Sequence, residues 1–277
     1  AVGFAEFGRP CLDPDTSHRV IERSRRELAR LADALERRRK DGFVRQCHGD
    51  LHLRNIVLLD GQPTPFDGVE FNDQIACIDV LYDLGFLLMD LWRRRLARHA
   101  NVVWNRYLSD SDDLSGLSLL PLFLSCRAAV RAKTSATAAS LQQDAERRRE
   151  LHATAGEYLA MADRLLHPPR ASLIAVGGLS GSGKSTLALA LAPAVGAVPG
   201  AVVLRSHGIR KRLCGVDLLE RLGPEGYAPQ VSARVYATLA ERAESILRAG
   251  HSAIVDAVYA HDEDRQGIER VATAVAA

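Results

Sequence analysis

The stretch from Leu173 to Leu191, LIAVGGLSGSGKSTLALAL, restricts what this chain can be more than any other. It begins as a short apolar run, turns through glycines and serines, and continues with apolar residues at helical spacing. Gly178, Gly183, Lys184 and Ser185 stand at the spacing of a phosphate-holding strand–loop–helix. Glycines let backbone N–H groups converge on phosphate oxygens, and the following helix aims its positive end at the same anion. Ser180, Gly181, Ser182 and Thr186 complete the expected cradle. Lys184 is placed to neutralise the outer phosphates and to serve the chemistry, and Ser185 to ligate Mg2+ beside a nucleoside triphosphate. ATP with magnesium is therefore the expected cofactor pair.

At 277 residues the chain has room for two domains, each of about 100–150 residues with its own core. An apolar share of 47% and a net charge of +2 give no ground for a nucleic-acid or membrane partner. Cys11, Cys47, Cys77, Cys126 and Cys214 are odd in number and scattered, as expected of reduced thiols in a cytoplasmic protein. The chain starts on Ala1 and stops at Ala277 inside a helical pattern, which suggests a piece of a longer protein.

In chain order, residues 1–15 read as a loop and Thr16–Lys40 as a helix, with Leu28, Leu31, Ala32 and Leu35 on one face. Arg37 to Arg39 read as part of its solvated face, because acidic residues are interleaved with them. Phe43–Cys47, Ile56–Leu59 and a segment ending near Asp67 read as short strands, the last two joined by a turn at Asp60-Gly61. Ile75–His99, Leu117–Ser140 and Gln142–Leu166 carry helical patterns, and the run His167-Pro168-Pro169-Arg170 marks a boundary. Beyond the phosphate loop, Ala201–Leu204 and His251–Val258 read as strands and Gln230–Ala249 as a helix. The expected class is α/β, with domains at 1–167 and 168–277: a helical part with a small β-hairpin, then a layered phosphate-loop domain with a parallel sheet.

The segments HGDLHLRNIVL and FDGVEFND resemble the catalytic and metal-binding loops of the aminoglycoside phosphotransferase family, relatives of the protein kinases. The resemblance implies a kinase-like C-lobe in which Asp50 orients or deprotonates an acceptor hydroxyl and Asn55 and Asp67 hold magnesium. Asp79 and Asp83 match a later D-x-x-x-D segment whose second Asp braces the catalytic loop, and His48 is structural. Such kinases cover ATP with an N-terminal lobe, but nothing in the 49 residues before Asp50 reads as one, and Gly3 and Gly8 do not replace its glycine loop.

The second half resembles P-loop small-molecule kinases of the gluconate-kinase and zeta-toxin type. Asp256 then stands at the magnesium-holding end of a strand, and His207 where relatives place an acceptor-contacting Asp. The arginine-bearing lid that the resemblance leads one to expect beyond the second half of such a domain is missing from the 277 residues. Together the halves resemble bacterial two-part proteins joining a phosphotransferase-like part to an ATP-binding part. The implied activity is phosphoryl transfer from ATP to a small hydroxylated molecule, with Lys184, Asp50 and His207 as catalytic groups. A nucleotide-binding regulatory module with little turnover is the alternative. A motor ATPase of the AAA type fits less well, because Ala257 rather than Glu follows Asp256.

Overall fold

The structure is a computed structural model that describes residues 12–217 and 220–276. Most of the expected N-terminal loop, with Gly3, Gly8 and Cys11, lies outside the described residues. The chain divides into two compact units, one of residues up to 96 with 118–168, the other of 97–117 with 169 onward.

In the first unit, helices α1 (Pro14–Arg30) and α2 (Ala32–Lys40) replace the single expected helix. Asp13 caps α1 through a bond from the Thr16 N–H, and the break falls at buried Leu31. Strand β1 (Val44–Gln46) follows, then the hairpin β2 (Ile56–Leu59) and β3 (Gln62–Pro65). Asp60 and Gly61 both hold positive φ, at 51° and 76°, the geometry of a tight hairpin turn.

The expected helix from Ile75 to His99 is instead three helices and a strand: α3 (Asp73–Ala76), β4 (Cys77–Asp79), α4 (Val80–Arg93) and α5, which begins at Ala97. Two local causes override the helical pattern. β4 is drawn into antiparallel pairing with β1, and Asp79 caps α4 by accepting the Leu81 N–H at 2.8 Å. Arg95, at φ 61°, turns the chain after α4.

Helices α6 (Leu120–Leu141) and α7 (Ala145–Leu165) form the body of this unit. Ala128, Ala132, Ala136 and Ala139 are fully or nearly fully buried on α6, as are Ala155 and Ala162 on α7, so the packed helices approach closely. By length and composition the helical stretch Leu114–Leu141 could cross a membrane, but 56% of its apolar window is buried within the protein, as in a core helix. The 146–150 run on α7 is exposed, as its charges predict.

The second unit is a parallel sheet of β5 (Leu173–Val176), β6 (Val202–Arg205) and β7 (Ala253–Asp256), in the order β5-β7-β6. All four residues of the central strand β7 are buried, as a parallel strand covered on both faces requires. Helix α8 (Lys184–Leu191) packs Ala188 against Val176 and Ile254. After β6 come α9 (Ser206–Leu213) and α10 (Pro229–Arg248), which packs on β6 and β7; α11 (Asp262–Ala276) closes the described chain.

Helix α5 (Ala97–Ser111) belongs to this unit although it precedes the diproline boundary. Its Asn105 acts as a surrogate strand on the open edge of β6: Oδ1 accepts from the Val203 N–H at 2.7 Å, and Nδ2 donates to the Ala201 carbonyl at 3.1 Å. Asn101 Nδ2 also donates to Ala201 and to Pro199. Side-chain amides thereby satisfy backbone groups that an edge strand leaves unpaired.

Candidate functional site

The phosphate loop runs from β5 to α8. Gly178, Gly181 and Gly183 hold φ values of 152°, 80° and 84°, in the region that side chains disfavour. At Gly178 space adds a second reason, since a Cβ would sit 2.7 Å from Ser182 Oγ. Gly178 donates to the Val258 carbonyl, tying the loop to the chain just beyond β7. Gly183 is the N-cap of α8, so Lys184, Ser185 and Thr186 form the helix's first turn. Ser180, Gly181 and Ser182 are exposed along the loop between them, open to a ligand. Lys184 Nζ rests on the Leu179 carbonyl at 3.3 Å.

Ser185 and Asp256, 71 residues apart, are in contact, with Ser185 Oγ donating to Asp256 Oδ2 at 2.5 Å. Asp256 is 3% exposed, and its second oxygen, Oδ1, is buried without a partner. A hydroxyl beside a carboxylate with one unused oxygen is a donor set suited to a hard dication such as magnesium. Among the described residues no group of three or more His, Cys, Asp and Glu side chains forms a metal cluster, so any cation here relies on this sparse pair and on a ligand's own oxygens.

At the same sheet end, β6 delivers Arg205 and then α9. Arg205 Nε is 3.7 Å from Asp256 Oδ2, a pairing not foreseen from the sequence. His207 is exposed on the first turn of α9; its pKa is lowered from the ordinary value by partial burial and then by Lys211, Arg205 and Arg210, which keeps the ring neutral. Arg210 and Lys211 are engaged elsewhere. Arg210 donates to the Gly226 carbonyl and to Ser232, and Lys211 to the Glu220 carbonyl.

The first unit holds its own cluster. Asn55 Nδ2 donates to the Asp50 backbone carbonyl at 3.1 Å and to its Oδ2 at 3.2 Å, so these two residues meet. Asp67 lies just beyond β3, exposed, in the left-handed conformation with φ 60°. The neighbouring Phe66 N–H bonds to the Asn55 carbonyl at 3.0 Å, and His48 Nε2 donates to the Phe66 carbonyl at 2.8 Å.

Asp83 reaches under the loop from α4, accepting the His48 N–H at 3.0 Å and the Gly49 N–H at 3.1 Å. Arg127, from α6, closes the arrangement: it donates to the Gly49 carbonyl at 3.2 Å and stands 3.5 Å from Asp83 Oδ1. His52 lies 3.4 Å from Asp50 Oδ2 and was not singled out by its sequence position. Burial lowers its pKa, against the opposing pull of Asp50. The remaining surprise is Arg38. Instead of facing solvent it is 1% exposed and grips Asp79 with two bonds of 2.6 and 2.8 Å, its guanidinium 4.0 Å above the Phe43 ring. Asp79's need for a cation outweighs the exposure that the interleaved charges imply. Cys47, Cys77, Cys126 and Cys214 are free thiols.

Strand, glycine loop, lysine-bearing helix start and a carboxylate-ended neighbouring strand together define a P-loop nucleotide-binding domain of the kinase and ATPase class. Residues 173–277 match the family described as "AAA domain". The chain is 32% identical over 237 residues to uncharacterized proteins of Mycobacterium tuberculosis and Mycobacterium bovis, a match covering 84% of this chain and 46% of theirs. It thus spans about half the length of these relatives. No solved structure matches it.

Proposed function

We propose that the P-loop unit transfers the γ-phosphoryl group of ATP to a hydroxyl of a small molecule. The observation that carries the reading is the buried Asp256 carboxylate, bonded to the phosphate-loop Ser185 and left with one oxygen unpartnered at the mouth of the loop. Loop amides and the first turn of α8 bind the phosphates, and Lys184 leaves the Leu179 carbonyl to neutralise the transferring group. Ser185 and Asp256 would hold magnesium, which when bound offsets charge on the phosphates. The acceptor oxygen attacks the γ-phosphorus as its bond to the bridging oxygen breaks, and ADP leaves. His207, neutral for the reasons given above, takes the acceptor's proton. Ala257, buried after Asp256, offers no carboxylate to activate water, which favours an organic acceptor over a motor ATPase.

The first unit we read as an aminoglycoside phosphotransferase-like loop system, with Asp50 toward an acceptor and Asn55 and Asp67 toward magnesium. The Asp83 brace under His48 and Gly49 supports this.

Calorimetry of Mg-ATP with wild type, Lys184→Ala and Asp50→Ala tests the assignment. Lys184→Ala is expected to weaken binding by about 1.5–3 kcal/mol, tenfold or more, and Asp50→Ala to leave it unchanged. Equal binding by wild type and Lys184→Ala refutes the phosphate-loop site. Candidate acceptors are then screened for ADP release above the rate without acceptor. Nucleotide binding with no acceptor-dependent release favours the regulatory alternative.

A further inference from the structure

We propose that Arg205 is a positioning residue of the magnesium site: it is the stand-in cation of Asp256 while no metal is bound, and it turns to the nucleotide phosphates when magnesium takes its place. The inference rests on the phosphate-loop reading above and adds a role for a residue that reading leaves unused.

Register places the two groups together. β6 and β7 pair in parallel with Arg205 opposite Asp256, so both side chains leave the carboxyl ends of adjacent strands on one face. Electrostatics gives the pairing its purpose. A carboxylate that is 3% exposed calls for a cation or several donors, yet Asp256 receives one hydroxyl bond and has an unpartnered Oδ1. Lys184, the nearest cation in sequence on the loop, is turned to the Leu179 carbonyl. Among the described residues, Arg205 is the cation at ion-pair distance from Asp256.

The hold is loose by construction. The separation of 3.7 Å is beyond a hydrogen bond, and the Arg205 side chain is 49% exposed. Such a pair attracts without locking either partner, so a dication that uses Oδ1 as well can displace the guanidinium. Once displaced, a planar fork of donors at the mouth of a phosphate loop matches phosphate oxygens.

A purely structural ion pair and a stand-in cation predict different signs. Manganese binding without nucleotide is measured by electron paramagnetic resonance, and binding of magnesium with a non-hydrolysable ATP analogue by calorimetry, for wild type, Arg205→Ala and Arg205→Lys. Thermal unfolding confirms that each is folded, and Arg205→Gln, which keeps a polar stem without charge, replaces the alanine variant if that does not fold.

Removing the guanidinium is expected to tighten manganese alone by roughly fivefold, since a competing charge is gone. It is expected to weaken the magnesium–nucleotide complex by roughly tenfold, since a charged phosphate contact is lost. Arg205→Lys should fall between in both. Manganese binding that is unchanged, weaker or absent from both proteins overturns the stand-in role. Nucleotide binding unchanged or tighter in Arg205→Ala overturns the phosphate role. If wild type binds manganese and no nucleotide, the phosphate-loop reading and Arg205's second role both fall, and the manganese comparison alone decides the first.

Discussion

His251 makes the P-loop unit acid-sensitive in a way that one substitution isolates. Its ring is 1% exposed at the foot of β7, with Nε2–H donating to the Leu117 carbonyl at 2.9 Å and Nδ1 buried without a partner. Burial pushes its pKa from the ordinary 6.5 down to about 4, because a second proton would place a charged donor on Nδ1 with nothing to receive it. The unfolded chain takes that proton below its ordinary pKa while the folded one refuses it. The stabilising effect of the neutral ring is therefore complete above that value and is lost as pH falls toward the folded pKa. Each pH unit inside this window is worth about 1.4 kcal/mol, so lowering pH from about 7.5 to about 4.5 should remove about 2–3 kcal/mol. His251→Gln keeps a donor for Leu117 and does not titrate. Urea unfolding of both proteins across this range, in a Trp92→Phe background, reports on the unit through buried Trp104, whose ring centroid lies 6.4 Å from His251. Glu36, held at about 2 by Arg39, loses its contribution at lower pH and does not mask the effect. Wild-type stability should fall by that margin relative to the variant. Parallel pH profiles for the two would refute the argument.

Two further outcomes follow from the hydrogen bonds. Asn105→Ala leaves the Val203 N–H facing α5 without its acceptor and should cost about 1–3 kcal/mol; it should also speed hydrogen exchange at the Val203 amide, and unchanged protection there would show that Asn105 does not cap β6. Asp83→Asn puts an amide donor against the His48 and Gly49 N–H groups and leaves Arg127 short of an anion. Urea unfolding should show a loss of about 3–5 kcal/mol, and a loss under about 1 kcal/mol would mean that the Asp83–Arg127 brace is not what holds the loop.

What the sequence makes legible here is what its chemistry encodes locally. The phosphate loop needs positive φ at glycines within a few residues of each other, and the β2–β3 turn needs it at Asp60-Gly61; both patterns are written in adjacent letters. The D-x-x-x-D spacing singled out Asp83, which accepts the His48 and Gly49 N–H groups. Illegible were the features settled by partners far along the chain. Arg38 looks like one more surface cation until Asp79, 41 residues on, buries it. The pattern around Ile75 stays helical on paper because β1, the strand that claims Cys77–Asp79, is not part of the local periodicity. Asn101 and Asn105 sit on an ordinary amphipathic helix, and nothing local reveals that they edge a sheet about a hundred residues later.

The buried aspartates separate structure from function by how fully their oxygens are used. Asp79 spends both on Arg38 and one again on the Leu81 N–H. Asp83 spends both on backbone N–H groups of the loop above it. Asp113 accepts from Tyr107, Ser115 and the Gly116 N–H. Each of these carboxylates is spent on holding backbone or a neighbouring side chain in place, and substituting one should be felt as lost stability. Among the buried aspartates of the described residues, Asp256 is the one with a buried oxygen that nothing in the chain engages. An unmet acceptor in a packed interior is a standing cost, and this one stands at the end of the central strand beside a loop shaped for phosphate. A fold with no use for a ligand there could relieve the cost with one more donor from β6 or α8. Instead the neighbouring strand supplies a half-exposed arginine 3.7 Å from the other oxygen, Oδ2, close enough to balance the charge while Oδ1 stays unbonded.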